Sequence, residues 1–170
     1  MAGGYIVGPG ANFSNADLTG VDLSGADLSG ADLTGVKSGN ITGTPTLSSG
    51  YQMISGYIVG PSVDLTDARF FDADLSGAVL NGANLYRAAL FNTDLSGADL
   101  SGANLTSANL TEGDLTGADL TGADLTNTNL LRVISGNITG TPTLPSAYQM
   151  INGYIAVSYT HLTLPTICSV

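Results

Sequence analysis

Apolar residues fall on a five-residue beat along most of this chain. From Ala16 the sequence reads Ala-Asp-Leu-Thr-Gly, Val-Asp-Leu-Ser-Gly, Ala-Asp-Leu-Ser-Gly and Ala-Asp-Leu-Thr-Gly, and the beat resumes over residues 63–132. A leucine at every fifth position fits neither the turn of an α-helix nor the alternation of a plain strand. The glycine that closes most units would cost a helix about 1 kcal/mol each time. Each unit therefore reads as a short extended piece with its own corner. Ala and Leu lie two apart, so they point to the same side of an extended chain. The residue between them, as in Ala26-Asp27-Leu28, points out. Ser or Thr follows on the outside, and Gly supplies a corner residue free to take positive φ. So short a unit cannot bury its apolar pair alone; successive turns must stack around an inner column of Ala and Leu.

These A(D/N)LXX units resemble the pentapeptide-repeat family. The resemblance implies an all-β fold, a right-handed quadrilateral parallel β-helix with four units, about twenty residues, to each square coil. On that spacing residues 63–132 make roughly three and a half coils, and residues 11–35 a little over one, too few to be stable alone.

A longer repeat punctuates the short one. Residues 38–47, Ser-Gly-Asn-Ile-Thr-Gly-Thr-Pro-Thr-Leu, return as 135–144, and Tyr-Gln-Met-Ile-Ser-Gly-Tyr-Ile at 51–58 returns with Asn-Gly in place of Ser-Gly at 148–155. Asn152-Gly153 between apolar and β-branched runs is a two-residue hairpin signal. The expected organisation is a partial hairpin module at 1–10, a first array at 11–36 and a β-hairpin insert at 37–62. A second array at 63–133 and a truncated hairpin insert at 134–156 follow. Val36 and Ile41 are placed to fill inner slots, which would carry the solenoid partly through the insert. Gly4-Tyr5-Ile6-Val7-Gly8-Pro9 repeats residues 56–61 in outline and aligns Met1 with Met53 and Met150. Met1 thus reads as an internal methionine, and the chain as a fragment of a longer repeat protein. Residues 157–170 begin Val-Ser-Tyr-Thr-His-Leu-Thr-Leu-Pro-Thr, unrelated to either repeat and similar to a translated sequencing adaptor. We set them aside as a non-native tail.

That exclusion bears on chemistry, because His161 and Cys168, the single histidine and cysteine, both fall in the tail. A serine nucleophile then has no neighbouring histidine base. Carboxylates could act in pairs, but nothing marks one pair among so many alike. The glycines punctuate corners rather than forming a phosphate-cradling strand–loop–helix. A calcium ladder would need six to eight oxygens, and no Asp-rich loop of a known spacing occurs. No enzyme, cofactor or metal is expected. Fourteen acidic residues against four basic ones give a formal charge of −10. That balance disfavours direct contact with a nucleic-acid backbone, and no apolar run reaches membrane-spanning length. The compartment is left open.

The remaining clue is where the repeat breaks its rule. Stacking by twenty puts Phe71, Phe91 and Leu131 outward on one face, where other units carry Ser or Thr, with Tyr86 on the neighbouring face. Arg69, Arg87 and Arg132 lie on the same side among Asp67, Asp72 and Glu112. Aromatic and Arg enrichment marks a binding patch. An internal dock for the hairpin at 51–59 is expected ahead of an external protein partner. The leading reading is a non-catalytic structural or protein-interaction solenoid whose open ends permit end-to-end self-association. The alternative, implied by the resemblance, is an acidic mimic of DNA that binds a type II topoisomerase. An accessory module of an enzyme encoded in flanking sequence stands third.

Overall fold

Residues 8–158 are described by a computed structural model. The Met1 alignment, His161 and Cys168 lie outside them. Asp17, Lys37, Asp64, Asn84, Asn104, Asp124 and Thr143 form successive parallel rungs on one face. Arg69, Ala89, Asn109 and Asn129 climb the next, followed by Asp74, Asp94, Asp114 and Ile134, then Val79, Asp99, Asp119 and Thr139. This is the expected four-sided parallel β-helix. The Leu75 N–H donates to the Asp94 carbonyl at 2.8 Å, and the Asp94 N–H donates to the Ala73 carbonyl at 3.0 Å, so rungs bond both up and down. Corners close inside each unit: the Ala78 N–H donates to the Leu75 carbonyl at 3.0 Å, across a Gly77 whose φ is 63°. A turn with positive φ at its third residue is the one glycine favours.

Leucines of the arrays and the alanines two before them fill the core almost without solvent contact, joined by Phe13 and Phe70. Thr93 and Thr128 occupy alanine slots. Their hydroxyls donate to the Phe70 and Leu105 carbonyls at 2.6 and 2.7 Å, so these buried oxygens are partnered.

The inserts depart from a plain hairpin. β1 (Asp27–Leu28) pairs in parallel with β2 (Thr46–Leu47), and Thr42 pairs with Asp22. Val36 and Ile41 are buried in the core. The coil therefore runs on through residue 47, because its backbone finds partners below, as in the Thr46 N–H to Ala26 carbonyl bond of 2.8 Å. Antiparallel pairing is confined to β3 (Gln52–Ile54) with β4 (Tyr57–Val59), and later to β5 (Tyr148–Ile151) with β6 (Tyr154–Val157). Strand β6 extends through Val157, one residue into the segment set aside above. Both two-residue turns, Ser55-Gly56 and Asn152-Gly153, have positive φ at both positions, the hairpin turn that suits strand twist. Lys37 pairs with Asp17 below and Asp64 above, which joins the two arrays into one stack. The step from Lys37 to Asp64 is seven residues longer than a regular coil, and the hairpin takes up the excess.

The two hairpins sit on matching platforms. The Ile41 N–H donates to the Gly56 carbonyl at 3.0 Å, and the Ile138 N–H to the Gly153 carbonyl at 3.0 Å. Ser38 Oγ accepts from the Ile58 N–H at 3.0 Å, and Ser135 Oγ from the Ile155 N–H at 3.2 Å. Above the first hairpin lies the coil that starts at Gly60, and Ile58 and Val59 are buried beneath it. The Tyr57 ring packs 5.0 Å from Phe70, and its hydroxyl accepts from the Arg69 N–H at 3.2 Å. Tyr51 lies so close to Gly60 that any side-chain carbon there would collide with its ring. Strand β6 carries no such coil among the described residues, and Tyr154 is 53% exposed.

Candidate functional site

Most units lock their own corner. The Asp74 carboxylate accepts from the Ser76 N–H at 3.0 Å and from its hydroxyl at 2.6 Å, and Asp119 does the same with Thr121 at 2.9 and 2.6 Å. These bonds, the hydroxyl's contribution first, hold the carboxyls of Asp22, Asp27, Asp74 and Asp119 below their ordinary range. Asp17 and Asp124 shift down likewise with Thr19 and Thr126, and Asp32 with Thr34, where the backbone bond leads. The carboxylates of the acidic columns are thus bonded within their own units, Asp94, Asp99 and Asp114 included. No group of three or more His, Cys, Asp or Glu among the described residues is placed to hold a metal ion.

Three units of the second array lack both members of this lock. One has Val79 and Asn81 in the two slots; in the other two Arg69 and Ala89 stand in the Asp slot, and Phe71 and Phe91 stand where the hydroxyl would be. Phe71 is 52% exposed and Phe91 half-buried on the next coil of the same column. Leu131, 55% exposed, shares the column but lies two coils further on, beyond Thr111. The hairpin at 51–59 does not cover Phe71. It reaches the inward neighbour Phe70 and the Arg69 backbone instead, because adjacent residues point to opposite sides of the wall.

Tyr86 and Arg87 form the preceding corner, with the Arg87 guanidinium 6.0 Å from the Tyr86 ring centre. Arg69 and Ala89 pair on the strand between the two corners. The residues singled out from sequence therefore frame one face of the β-helix: Tyr86 and Arg87 on one edge, Phe71 and Phe91 on the other, Arg69 between.

These two corners differ from the others in backbone too. Asp67, Arg87, Ser107 and Asn127 on one, and Asp72, Asn92, Glu112 and Arg132 on the other, all have positive φ without being glycine. The remaining corners of the second array use Gly77, Gly97 and Gly117, and Gly82, Gly102 and Gly122. Left-handed backbone costs a side-chain-bearing residue about 1–2 kcal/mol, less for Asn and Asp. Coil-to-coil bonds offset part of this: Arg87–Asp67 at 3.2 Å, Arg132–Glu112 at 2.8 Å and Asn92–Asp72 at 2.8 Å. All are exposed, and such ion pairs return about 0–1 kcal/mol.

Val79 escaped the sequence reading. It is an apolar residue in an Asp slot, exposed beside a shallow cleft lined by Gly50, Tyr51, Gln52, Gly77 and Ala78. The rule-breaking test that picked out Phe71 would have found it. The exposed apolar end formed by Ile134, Ile151, Tyr154 and Val157 was also missed. Its signal was the aligned first module, where the equivalent hairpin is followed by another coil.

No curated protein matches this sequence. The family description "Pentapeptide repeats" matches in eight copies over residues 9–36, 68–106 and 103–133, more than half of the chain. Among solved structures the chain is similar to HetL, involved in heterocyst differentiation regulation in Nostoc sp. strain PCC 7120. Identity is 31% over 74% of this chain and 65% of HetL, slightly under two thirds of its length, with a TM-score of 0.29. It is similar to Rfr23 of Cyanothece 51142 at 25% identity over 75% of this chain and 90% of that one, TM-score 0.30. QnrB1, a plasmid-mediated fluoroquinolone resistance protein, is 17% identical over 81% and 74% of the two chains, TM-score 0.44. On its repeat sequence and the family match, this chain belongs to the pentapeptide-repeat family.

Proposed function

We propose that this chain is a non-catalytic protein-interaction scaffold that binds a partner protein through the face framed by Phe71, Phe91, Tyr86, Arg69 and Arg87, with Leu131 extending its edge. One observation carries the reading. Within the second array the two corners flanking this face keep Arg87, Ser107, Glu112 and Arg132 at positive φ, where the other two corners use glycine throughout. Four such residues cost the fold several kcal/mol between them, and two exposed ion pairs do not return that sum. Folding alone does not account for them, whereas strain kept at a surface is typical of binding sites. The same face gives up two carboxylate–hydroxyl locks to present aromatic rings, which anchor protein interfaces.

The acidic columns favour a second reading, an electrostatic mimic of DNA. Asp74, Asp94 and Asp114 climb one face, and Asp99 and Asp119 the next. One experiment separates the two. Immobilised wild-type chain and the Phe71→Ser/Phe91→Ser double variant are compared for protein retention, beside titration of a purified type II topoisomerase at low and at about 0.15 M salt. The scaffold reading expects one protein to be retained by wild type and lost by the variant, and the Phe71→Ser single variant, altered at an exposed site, to weaken retention with its Tm unchanged. Equal retention by both removes this face from the site. Topoisomerase binding that survives the double variant and weakens steeply with salt favours the mimic.

A further inference from the structure

The four walls of the second array differ in what their outward strand positions carry. Asp74, Asp94 and Asp114 line one wall, and Asp99 and Asp119 the next. A third carries Asp64 and Asp124, with Asn84 and Asn104 between them. The wall between the Tyr86 and Phe91 corners carries Arg69, Ala89, Asn109 and Asn129. In a chain of formal charge −10, it is the one column of the second array without a carboxylate.

Its gap is at Ala89. On the third wall an asparagine bonds the rung one coil below it: Asn84 Nδ2 donates to the Asp64 carboxylate at 3.1 Å, and Asn104 Nδ2 to the Asn84 side-chain oxygen at 3.0 Å. Asn109 stands over Ala89 in the same relation, and a methyl group accepts nothing. The Asn109 oxygen already accepts from the Thr111 N–H and hydroxyl at 3.1 and 2.6 Å. Its Nδ2 has no partner among the described residues.

Below the gap, the Arg69 guanidinium has no partner among the described residues either. The carboxylates at the edges of this wall are engaged elsewhere: Asp67 with Arg87, Glu112 with Arg132, and Asp72 with Asn92 Nδ2 at 2.8 Å. Two unspent donor groups, one of them cationic, thus bracket a position about 4.8 Å along the wall from each. Both groups only donate.

A carboxylate suits this position best. Its two oxygens can accept from a guanidinium and an amide together, and a bond with ionised partners is roughly twice as strong as a neutral one. A cationic side chain finds no acceptor there. A phosphate, near −2 in charge, would meet one unpaired cation with Asp64, Asp67 and Asp72 close by. The Tyr86 and Phe91 rings stand at the two edges, where apolar cover excludes water and strengthens such bonds.

We propose that the vacant outward rung at Ala89 is a recognition slot for a side-chain carboxylate, Asp or Glu, of the partner protein, held between the Arg69 guanidinium and the Asn109 amide. The inference rests on the partner-binding reading of this face and names the chemistry that selects the partner. The rings anchor, and the carboxylate fixes register and rejects a partner that leaves both donors unpaired.

Filling the slot from within tests its geometry without a partner. Ala89→Asp introduces the residue that the other walls carry at this position. The expected result is a Tm no lower than wild type, with the Asn109 Nδ2 protons shifted in NMR spectra and slower to exchange with water. Unmoved Asn109 protons would overturn the proposal.

Recognition is tested by panning a phage-displayed library of random peptides against the full chain. Enriched peptides should carry Asp or Glu beside an aromatic or aliphatic residue. Resynthesised, they should bind Ala89→Asp and Arg69→Gln at least about tenfold more weakly than wild type, as should their own Asp→Asn or Glu→Gln forms bind wild type. Peptides weakened by Phe71→Ser that bind Ala89→Asp as tightly as wild type would overturn the slot and leave the face standing. A library that yields no peptide sensitive to Phe71→Ser removes the face and the slot together.

Discussion

The hairpins β3–β4 and β5–β6 are spelled almost alike and stand on the same platform, yet one is core and the other surface. Turn, register and the serine bond to the last strand are common to both. The difference lies above them. Under the coil from Gly60 onward, Ile58 has no exposure, while its counterpart Ile155 is half-buried beneath no described coil. Hairpin formation is therefore a local property of the Ser-Gly or Asn-Gly turn. Burial belongs to the stack, as expected of a fold in which each layer contacts only its neighbours.

Paired substitutions can break that comparison. Ile58→Ala removes three buried carbons from a filled seat and should cost about 2–5 kcal/mol. Ile155→Ala, at a seat open on one side, should cost about 1–2 kcal/mol in proportion to its smaller buried area. Urea midpoints measured at low protein concentration read both. Equal losses would mean that the covering coil contributes nothing and that the hairpins are stable on their own terms.

A smaller effect tests the platform. Ser38→Ala leaves the Ile58 N–H without a partner under the covering coil, a loss of about 1–3 kcal/mol. Ser135→Ala frees an N–H that water can reach, and its cost should stay below about 1 kcal/mol. A reversed order would place the stabilising bond elsewhere than at the serine.

Much of this was legible in the sequence, and the reason is physical. Each five-residue unit repeats the same local decisions: Leu inward, Asp outward onto a hydroxyl, then a corner at positive φ. Periodicity thus reports the stacked fold directly. The passage of the coil through Thr42 and Thr46 was harder, because those residues lack both the leucine and the Asp, and only pairing with Asp22 and Asp27 reveals them as rungs. The join of Lys37 to Asp64 depends on a long-range register that no local pattern encodes. The expected cover for Phe71 failed by one residue. The hairpin meets Phe70, and in an extended wall a shift of one position moves a contact from outside to inside. The stack also separates Leu131 from Phe91 by Thr111, which spacing of twenty states plainly once the columns are written out.

The smallest predicted effect sets the acidic first array against the carboxylate-free last coil. Stacked Asp columns could act on stability in two opposite ways. Were like-charge repulsion dominant, folded carboxyls would titrate above their unfolded range and acid would stabilise the chain. The pKa values of Asp17, Asp22, Asp27, Asp74 and Asp119 instead lie below it, held down by Ser and Thr hydroxyl and backbone bonds. A depressed folded pKa contributes stability that is present above the unfolded value, near 3.9, and lost as pH falls through the folded value. The stability of residues 11–35, with Asp17, Asp22, Asp27 and Asp32, should therefore decline below about pH 4. Residues 134–157 have no carboxylate to titrate and should respond only through the coils they rest on. Amide protection followed by NMR between about pH 5 and pH 2.5, corrected for intrinsic exchange, distinguishes the two segments. Because the cause is a short hydrogen bond rather than a distant charge, the decline should persist in high salt. A first array that grows more protected on acidification would show that repulsion between coils, not the carboxylate–hydroxyl lock, governs these columns.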